Sequence, residues 1–313
     1  MAQLKVLDLF CGAGGFSLGF RNEGFSVTGV DINPRSGEIF SLNKIGNFFK
    51  KNLAEDEITG DFDIIIGGPP CRPWSSINIK KRGINHPDYN LLVRFFHHIY
   101  EIRPRAFLLE NVPPLSGDPN YQGLIERTAK EGYSVSFHRI NYSHFGIASQ
   151  RKRLFTAGFR EFGNDADDFF EKLKVLRSQS LSIEQAIKKY EKMAMHDFPD
   201  HEWPHLKTIE KYHENYKTGK YGWHRLKYDE CAPSFGNVMK TYILHPNAGE
   251  NNFPIRVLSV REVLEIMGFP DTYLFPPTMA MGMKYQMAAD SVSPVVAMRM
   301  ATTLKYIIEN RCY

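Results

Sequence analysis

The chain has 313 residues, 42% of them hydrophobic and 24% charged, and a formal net charge of +4. This balance excludes a disordered or fibrous protein, leaves room for two domains, and is compatible with a polyanionic partner without requiring one. No apolar run approaches the roughly 20 residues that span a bilayer, no charged-then-apolar leader opens the sequence, and Cys11, Cys71, Cys231 and Cys312 form neither a CxxC pair nor a disulfide scaffold, so a reducing, intracellular setting (cytoplasmic if prokaryotic) is expected.

In chain order, β-rich runs at 4–9, 26–31, 62–67, 105–110, 134–141 and 153–159 alternate with amphipathic helix candidates at 15–23, 34–45, 90–102 and 119–131. That alternation predicts an α/β fold with a doubly wound, mostly parallel sheet. The pattern breaks over 162–254, which is rich in His, Tyr, Lys and Pro and suggests a separate, smaller domain. Helical spacing returns at 259–268 and at 292–309, where Ser291 or Ser293 would cap the second helix.

Segment 8–16, DLFCGAGGF, follows the first strand and enters a helix. Gly12, Gly14 and Gly15 suit a tight turn whose backbone N–H groups a ligand can approach closely. Asp31 ends the second strand about 20 residues later, where a carboxylate meets ribose hydroxyls. Ser17 stands where a dinucleotide fingerprint has its third glycine, so a nucleoside-bearing cofactor is predicted and its identity stays open. In DIIIGGPPCRPWSS, residues 63–76, a buried strand is stopped by Gly67-Gly68-Pro69-Pro70 and delivers Cys71 to a stiff rim. A thiol there serves as a nucleophile or as a small buried hydrophobe.

Three further stretches join these pieces: LLENV at 108–112, SQRKRLF at 149–155 and RVLSVREVLEIMGFPD at 256–271. With the glycine loop, the PPC turn and the closing ADSV at 289–292, they appear in the order found in the S-adenosylmethionine-dependent DNA cytosine carbon-5 methyltransferases, which the chain resembles over about two thirds of its length. The resemblance implies a Rossmann-like methyltransferase domain over 1–161, completed by a C-terminal helix within 286–313. It implies a target-recognition domain over 162–285. Cys71 would add to carbon 6 of a flipped cytosine, and Glu110 would hold a proton toward ring nitrogen 3. Arg153 would bond the base carbonyl, and Arg151 would brace the loop or the thiolate. S-adenosylmethionine, leaving as S-adenosylhomocysteine, would meet Phe10, Gly12, Gly14, Gly15, Asp31, Ile32, Asn52, Pro69, Leu91 and Asp290. The implied partner is double-stranded DNA, with a companion restriction endonuclease acting separately, no membrane and no metal; the enzyme would be a monomer.

Several residues depart from the family pattern. Arg72 replaces the usual Gln after the nucleophile, and Lys80, Lys81 and Arg82 extend a basic loop suited to phosphate contact. Asn52 stands for an Asp, Ser149 for a Gln, and Asp290 for an Asn. Between 196 and 228, His196, His201, His205, His213 and His224 interleave with Trp203, Tyr212, Tyr216, Trp223 and six Lys or Arg residues. That pattern suits nucleic-acid contact or a packed subdomain. Pro204 in HEWPH breaks the helix that a pair of zinc-binding histidines would need. A related enzyme acting on a tRNA anticodon-loop cytosine usually carries a Cys-Phe-Thr triplet, which is absent here. A silent DNA-binding relative would lack Cys71 or Glu110, and a nicotinamide dehydrogenase would give PPC and ENV no role.

Overall fold

The computed structural model describes residues 3–74, 83–160, 163–212, 215 and 224–310. The first of two compact units comprises 1–141, 152–177 and 296–313; the second comprises 142–151 and 178–295.

A seven-stranded sheet organises the first unit. Its strands are β1 (Lys5–Leu9), β2 (Ser26–Asp31), β3 (Asn47–Lys50), β4 (Ile64–Gly67), β5 (Ala106–Asn111), β6 (Tyr133–Asn141) and β7 (Lys152–Arg160), in the spatial order β3-β2-β1-β4-β5-β7-β6. The first five run parallel, and β7 and β6 are antiparallel. Central strands covered on both faces read as unbroken apolar runs. Ile64, Ile65 and Ile66 are accordingly fully buried, as are Phe107 and Leu108. The crossovers use α1 (Gly15–Asn22), α2 (Pro34–Leu42), α3 (Asn90–Ile102) and α4 (Pro119–Lys130). The doubly wound, mostly parallel architecture is the one expected.

Two elements depart from expectation. β3 is a short edge strand with Phe49 half exposed, so neither alternation nor an apolar run marks it. The helix α5 (Asp165–Val175) lies within the interval assigned to the smaller domain, yet it packs Phe169 and Phe170 onto β6 and β7 as part of the first unit. Residues 142–151, between β6 and β7, group with the second unit. The C-terminal region forms two helices, Met281–Asp290 and Pro294–Glu309, and the first unit takes the chain from Val296 onward. There Gly19 of α1 lies so close to Ala297 that a Cβ would sit 2.4 Å from its methyl group. Neither serine caps the last helix: the Ser291 hydroxyl donates to the Val292 carbonyl, and the buried Ser293 hydroxyl has no partner among the described residues.

One carboxyl is buried beneath the glycine turn. α1 has no side-chain cap, and its Ser17 hydroxyl donates instead to Asp8 Oδ2 in β1 at 2.6 Å. Burial, reinforced by the Asp31 charge and opposed by Ser17, pushes Asp8 up from an ordinary 3.8 to about 7.

The second unit is poor in strands. His224–Arg225 and Ile243–Leu244 form a short parallel pair, and its other described residues form short helices and loops. The RVLSVRE stretch is its structural centre. Ser259 and Glu262 form a capping box at the helix Val260–Ile266. The Glu262 carboxylate also receives both Arg256 Nη groups at 2.7 and 2.8 Å. Burial pushes Glu262 up, but Arg256 and His245 outweigh it and hold the carboxyl down at about 2. Trp203 lies under the Arg256 guanidinium at 4.3 Å, and its ring meets that of buried His201, which shares a hydrogen bond with Ser259. Of these two members of the aromatic-and-cation pattern, His201 is therefore interior and Trp203 is half-buried against Arg256. His213, Tyr216 and Trp223 lie outside the described residues. A cavity of about 460 Å³ in this unit, lined by Trp203, Phe253 and Arg256 among others, holds none of the expected site residues.

Each of these buried carboxyls has a measurable consequence. Asp8 is protonated more readily in the folded chain than in the unfolded one. Its contribution to stability is complete below 3.8 and is lost as pH rises through about 7. The melting temperature of the wild type should fall relative to that of Asp8→Asn over this window, and a constant difference would contradict the assignment. In the second unit, Glu262→Gln keeps a capping-box side chain but strands the Arg256 charge. Chemical denaturation should show a loss of about 3–5 kcal/mol, whereas a change below about 1 kcal/mol would mean the pair is dispensable.

Candidate active site

Five parallel strands release their loops at one edge of the sheet, and the order reverses between β1 and β4, where open α/β sheets form a ligand crevice. Phe10 leaves β1 with φ of 63°, a left-handed backbone that costs a non-glycine residue about 1–3 kcal/mol. Gly12 and Gly14 continue the turn with φ of 50° and 73°. A Cβ on Gly14 would collide with Ile45 and Phe40 at 2.7 and 3.0 Å, so this glycine permits packing. A Cβ on Gly12 would meet nothing nearer than the Phe10 carbonyl at 4.0 Å, leaving room above the turn.

Asp31 ties the ends of β1 and β2 together: Gly12 N–H donates to its Oδ2 at 2.9 Å and Asn33 N–H to its Oδ1 at 2.8 Å. Burial raises its carboxyl above the ordinary range, against the pull of those N–H groups. Ile32, the next residue, leaves an apolar side chain 60% exposed. Asn52 follows β3 and accepts from Ala54 N–H at 3.2 Å, which makes it first a turn residue with acceptor capacity to spare. Leu91 is half-buried near the start of α3. These residues fit an adenosyl group: an open glycine turn, a carboxylate for the ribose, and exposed apolar surface for a base.

β4 delivers the PPC turn, where Cys71 is partly exposed. Trp74 N–H donates to the Cys71 carbonyl at 3.0 Å and closes the turn. Beneath it, Asn111 Nδ2 donates to the buried Pro69 carbonyl at 3.0 Å. A Cβ built on Gly68 would lie 3.2 Å from Glu110 Oε2, so the second glycine allows the turn to pass close over the acid. Because β7 runs antiparallel to β5, its N-terminal end meets the end of β5. Arg153 Nε accordingly pairs with Glu110 Oε1 at 3.0 Å, both side chains being largely buried. The guanidinium expected to face a substrate carbonyl thus also holds the acid, and its Nη1 donates to the Lys152 carbonyl at 2.8 Å.

Two expected site residues belong to the second unit. Arg151 is 3% exposed, with its guanidinium 5.9 Å from the Tyr142 ring centroid. Asp290 is exposed at the end of its helix and accepts from Gln286 Nε2 at 2.7 Å. Arg72 projects into solvent 3.9 Å from Asp88; Lys80, Lys81 and Arg82 lie outside the described residues. Asn111, the middle residue of ENV, clamps the turn, a role that its place in the sequence does not mark.

Among the described residues no helix is long and apolar enough to cross a membrane. The family model for C-5 cytosine-specific DNA methylases matches residues 4–306. Type II methyltransferase M.FnuDI of Fusobacterium nucleatum is 29% identical over 98% of this chain and 96% of its own length. Type II methyltransferase M.NgoPII of Neisseria gonorrhoeae is 27% identical with the same coverage. The crystal structure of a putative DNA modification methyltransferase encoded within an E. coli prophage superposes with a TM-score of 0.74 at 20% identity, covering 98% of this chain and all of that one. With an acid and a guanidinium paired below a cysteine-bearing turn, and a family match running nearly end to end, the chain belongs to the C-5 cytosine-specific DNA methylases and is a DNA cytosine-5 methyltransferase.

Proposed function

We propose that the enzyme methylates carbon 5 of a cytosine swung out of duplex DNA, through a transient bond to Cys71. The Glu110–Arg153 pair at 3.0 Å carries this reading. Ring nitrogen 3 and the carbonyl oxygen of cytosine are adjacent on one edge of the base, and an acid and a guanidinium in contact are spaced to address both. The Cys71 thiolate adds to carbon 6, and the displaced electron pair makes carbon 5 enamine-like. Glu110 gives its proton to nitrogen 3, while Arg153 donates to the carbonyl oxygen and stabilises the charge gathering there. Phe10, the 12–15 turn, Asp31, Ile32, Asn52, Pro69 and Leu91 would hold S-adenosylmethionine, whose sulfonium would supply the electrophilic methyl group that carbon 5 takes, the S–CH3 bond breaking to leave the thioether S-adenosylhomocysteine. Loss of the carbon-5 proton to water then re-forms the ring double bond and expels the Cys71 thiolate, and nitrogen 3 returns its proton to Glu110.

Arg151 and Asp290 complete the proposed set, the first as a brace and the second as a contributor to the cofactor site. The second unit, which includes most of the expected 162–285 interval, is the proposed target reader. Arg72 and the lysines and arginines between 196 and 228 would contact phosphates. The Type II relatives support a separate restriction endonuclease as companion, and the enzyme is proposed to work as a monomer in the cell interior.

The test is to methylate random plasmid DNA and map each modified cytosine with its neighbours. Wild type should modify one sequence context, with DNA affinity falling steeply as salt rises. Cys71→Ser should keep its fold and lose about 1,000-fold or more in rate. Transfer to tRNA alone, or undiminished transfer by Cys71→Ser, would refute the proposal.

A further inference from the structure

Asp118 does more than start a helix. Its Oδ1 caps α4 by accepting from Asn120 and Tyr121 N–H at 3.0 and 3.1 Å. Oδ2 of the same carboxylate accepts from the indole N–H of Trp74 at 2.8 Å. The Tyr89 hydroxyl donates to it as well, 3.0 Å from Oδ1 and 3.3 Å from Oδ2. Both rings are 8% exposed, with centroids 5.5 Å apart. A helix start is satisfied by the first two donors. The other two come from the chain after Cys71, and one of them, Trp74, closes the turn that begins at Cys71.

The opposite side of that turn is held too, because Asn111 fixes the Pro69 carbonyl at 3.0 Å and its own Oδ1 accepts from Val112 N–H at 2.8 Å. Cys71 therefore sits between two clamped residues, Pro69 and Trp74. Both clamps arise from the single stretch 110–118, which also carries Glu110. A clamp on one side alone would leave the sulfur free to pivot about the other. Two clamps from the acid's own segment tie the sulfur and the carboxyl to one frame.

We propose that Asp118 is a positioning residue for the nucleophile: by gripping Trp74 and Tyr89 it holds the Cys71 turn in register with Glu110. This rests on Cys71 being the nucleophile. Asp118→Ser separates the two roles of the carboxylate, since serine caps a helix as well as aspartate but cannot also reach the indole and the phenol. Tyr89→Phe removes one donor and keeps the ring, and Trp74→Phe removes the other and keeps a smaller aromatic side chain.

The test measures single-turnover methylation at saturating plasmid DNA and S-adenosylmethionine, together with cofactor affinity and melting temperature. Asp118→Ser should slow the methyl-transfer step about 10- to 100-fold, as misplacement of a reacting group does. Cofactor affinity should stay within about twofold, the range of an untouched site. Trp74→Phe should share the defect, and the double variant should be no slower than the slower single variant. A cap-only role would lower the melting temperature without a selective loss in the transfer rate. Wild-type transfer rates in Asp118→Ser would overturn the proposal. If that variant fails to fold, wild-type rates in both Trp74→Phe and Tyr89→Phe would overturn it equally. A wild-type enzyme that transfers no methyl group would instead remove the reading on which the clasp rests.

Discussion

Parallel strands all point their carboxyl ends at one edge of a sheet, so a site at that edge normally draws on the loops leaving those strands. The antiparallel pairing of β7 with β5 adds a second source, because the N-terminal end of β7 arrives at the same edge. Glu110 lies opposite Phe155, and Arg153, two residues away, falls on the same face of the sheet as its diagonal neighbour. A slip of one residue would turn the guanidinium to the other face and leave the acid with no cation. Leu108, Leu109, Leu154, Phe155 and Ala157 prevent such a slip, since all are buried and would have to move together.

The two units use buried charge differently. In the first, Asp8 and Glu110 lie under the functional edge. In the second, charge supplies what regular strands would otherwise provide. Arg261, fully buried, donates from Nε to the Pro199 carbonyl and from Nη2 to the Tyr273 carbonyl, serving backbone acceptors that no sheet ladder reaches. Lys284 pairs with Asp200 and Glu202 at 2.8 and 2.6 Å. Such pairs give back little net stability after desolvation, but loss of one partner is costly, so they penalise alternative packings of a strand-poor chain.

The same division decides which elements are legible in the sequence. The central strands are, because burial on both faces leaves apolar runs such as Ile64–Ile66. β3 is not, because an exposed edge strand carries no such mark. α5 reads as part of the smaller domain because its acidic first turn resembles the polar tract beyond it; only packing against β6 and β7 reveals its place. Cys71 and Glu110 stand out through rare local contexts, PPC and ENV. The contact between Arg153 and Glu110 requires strand register, which spacing alone does not supply. Trp203 and His201 suit nucleic-acid contact or a packed subdomain by sequence, and in the fold they pack around Arg256 and Ser259. Aromatic residues interleaved with cations describe a cation–π core as well as they describe a binding face.

Asp31 and Asp118 illustrate why the full set of contacts a carboxylate makes is hard to read from sequence. Asp31 is predicted from its place at the end of β2, and its oxygens already hold Gly12 and Asn33 N–H groups. Each carboxylate oxygen accepts more than one hydrogen bond, so Asp31 keeps acceptor capacity beyond the turn it holds. The same capacity lets Asp118 cap α4 and grip Trp74 and Tyr89 together. In both cases the local bond is visible as a turn or a helix start, and the distant one is not. Since the local bonds fix the carboxylate's direction, its remaining lone pairs are aimed before a ligand or a second segment arrives.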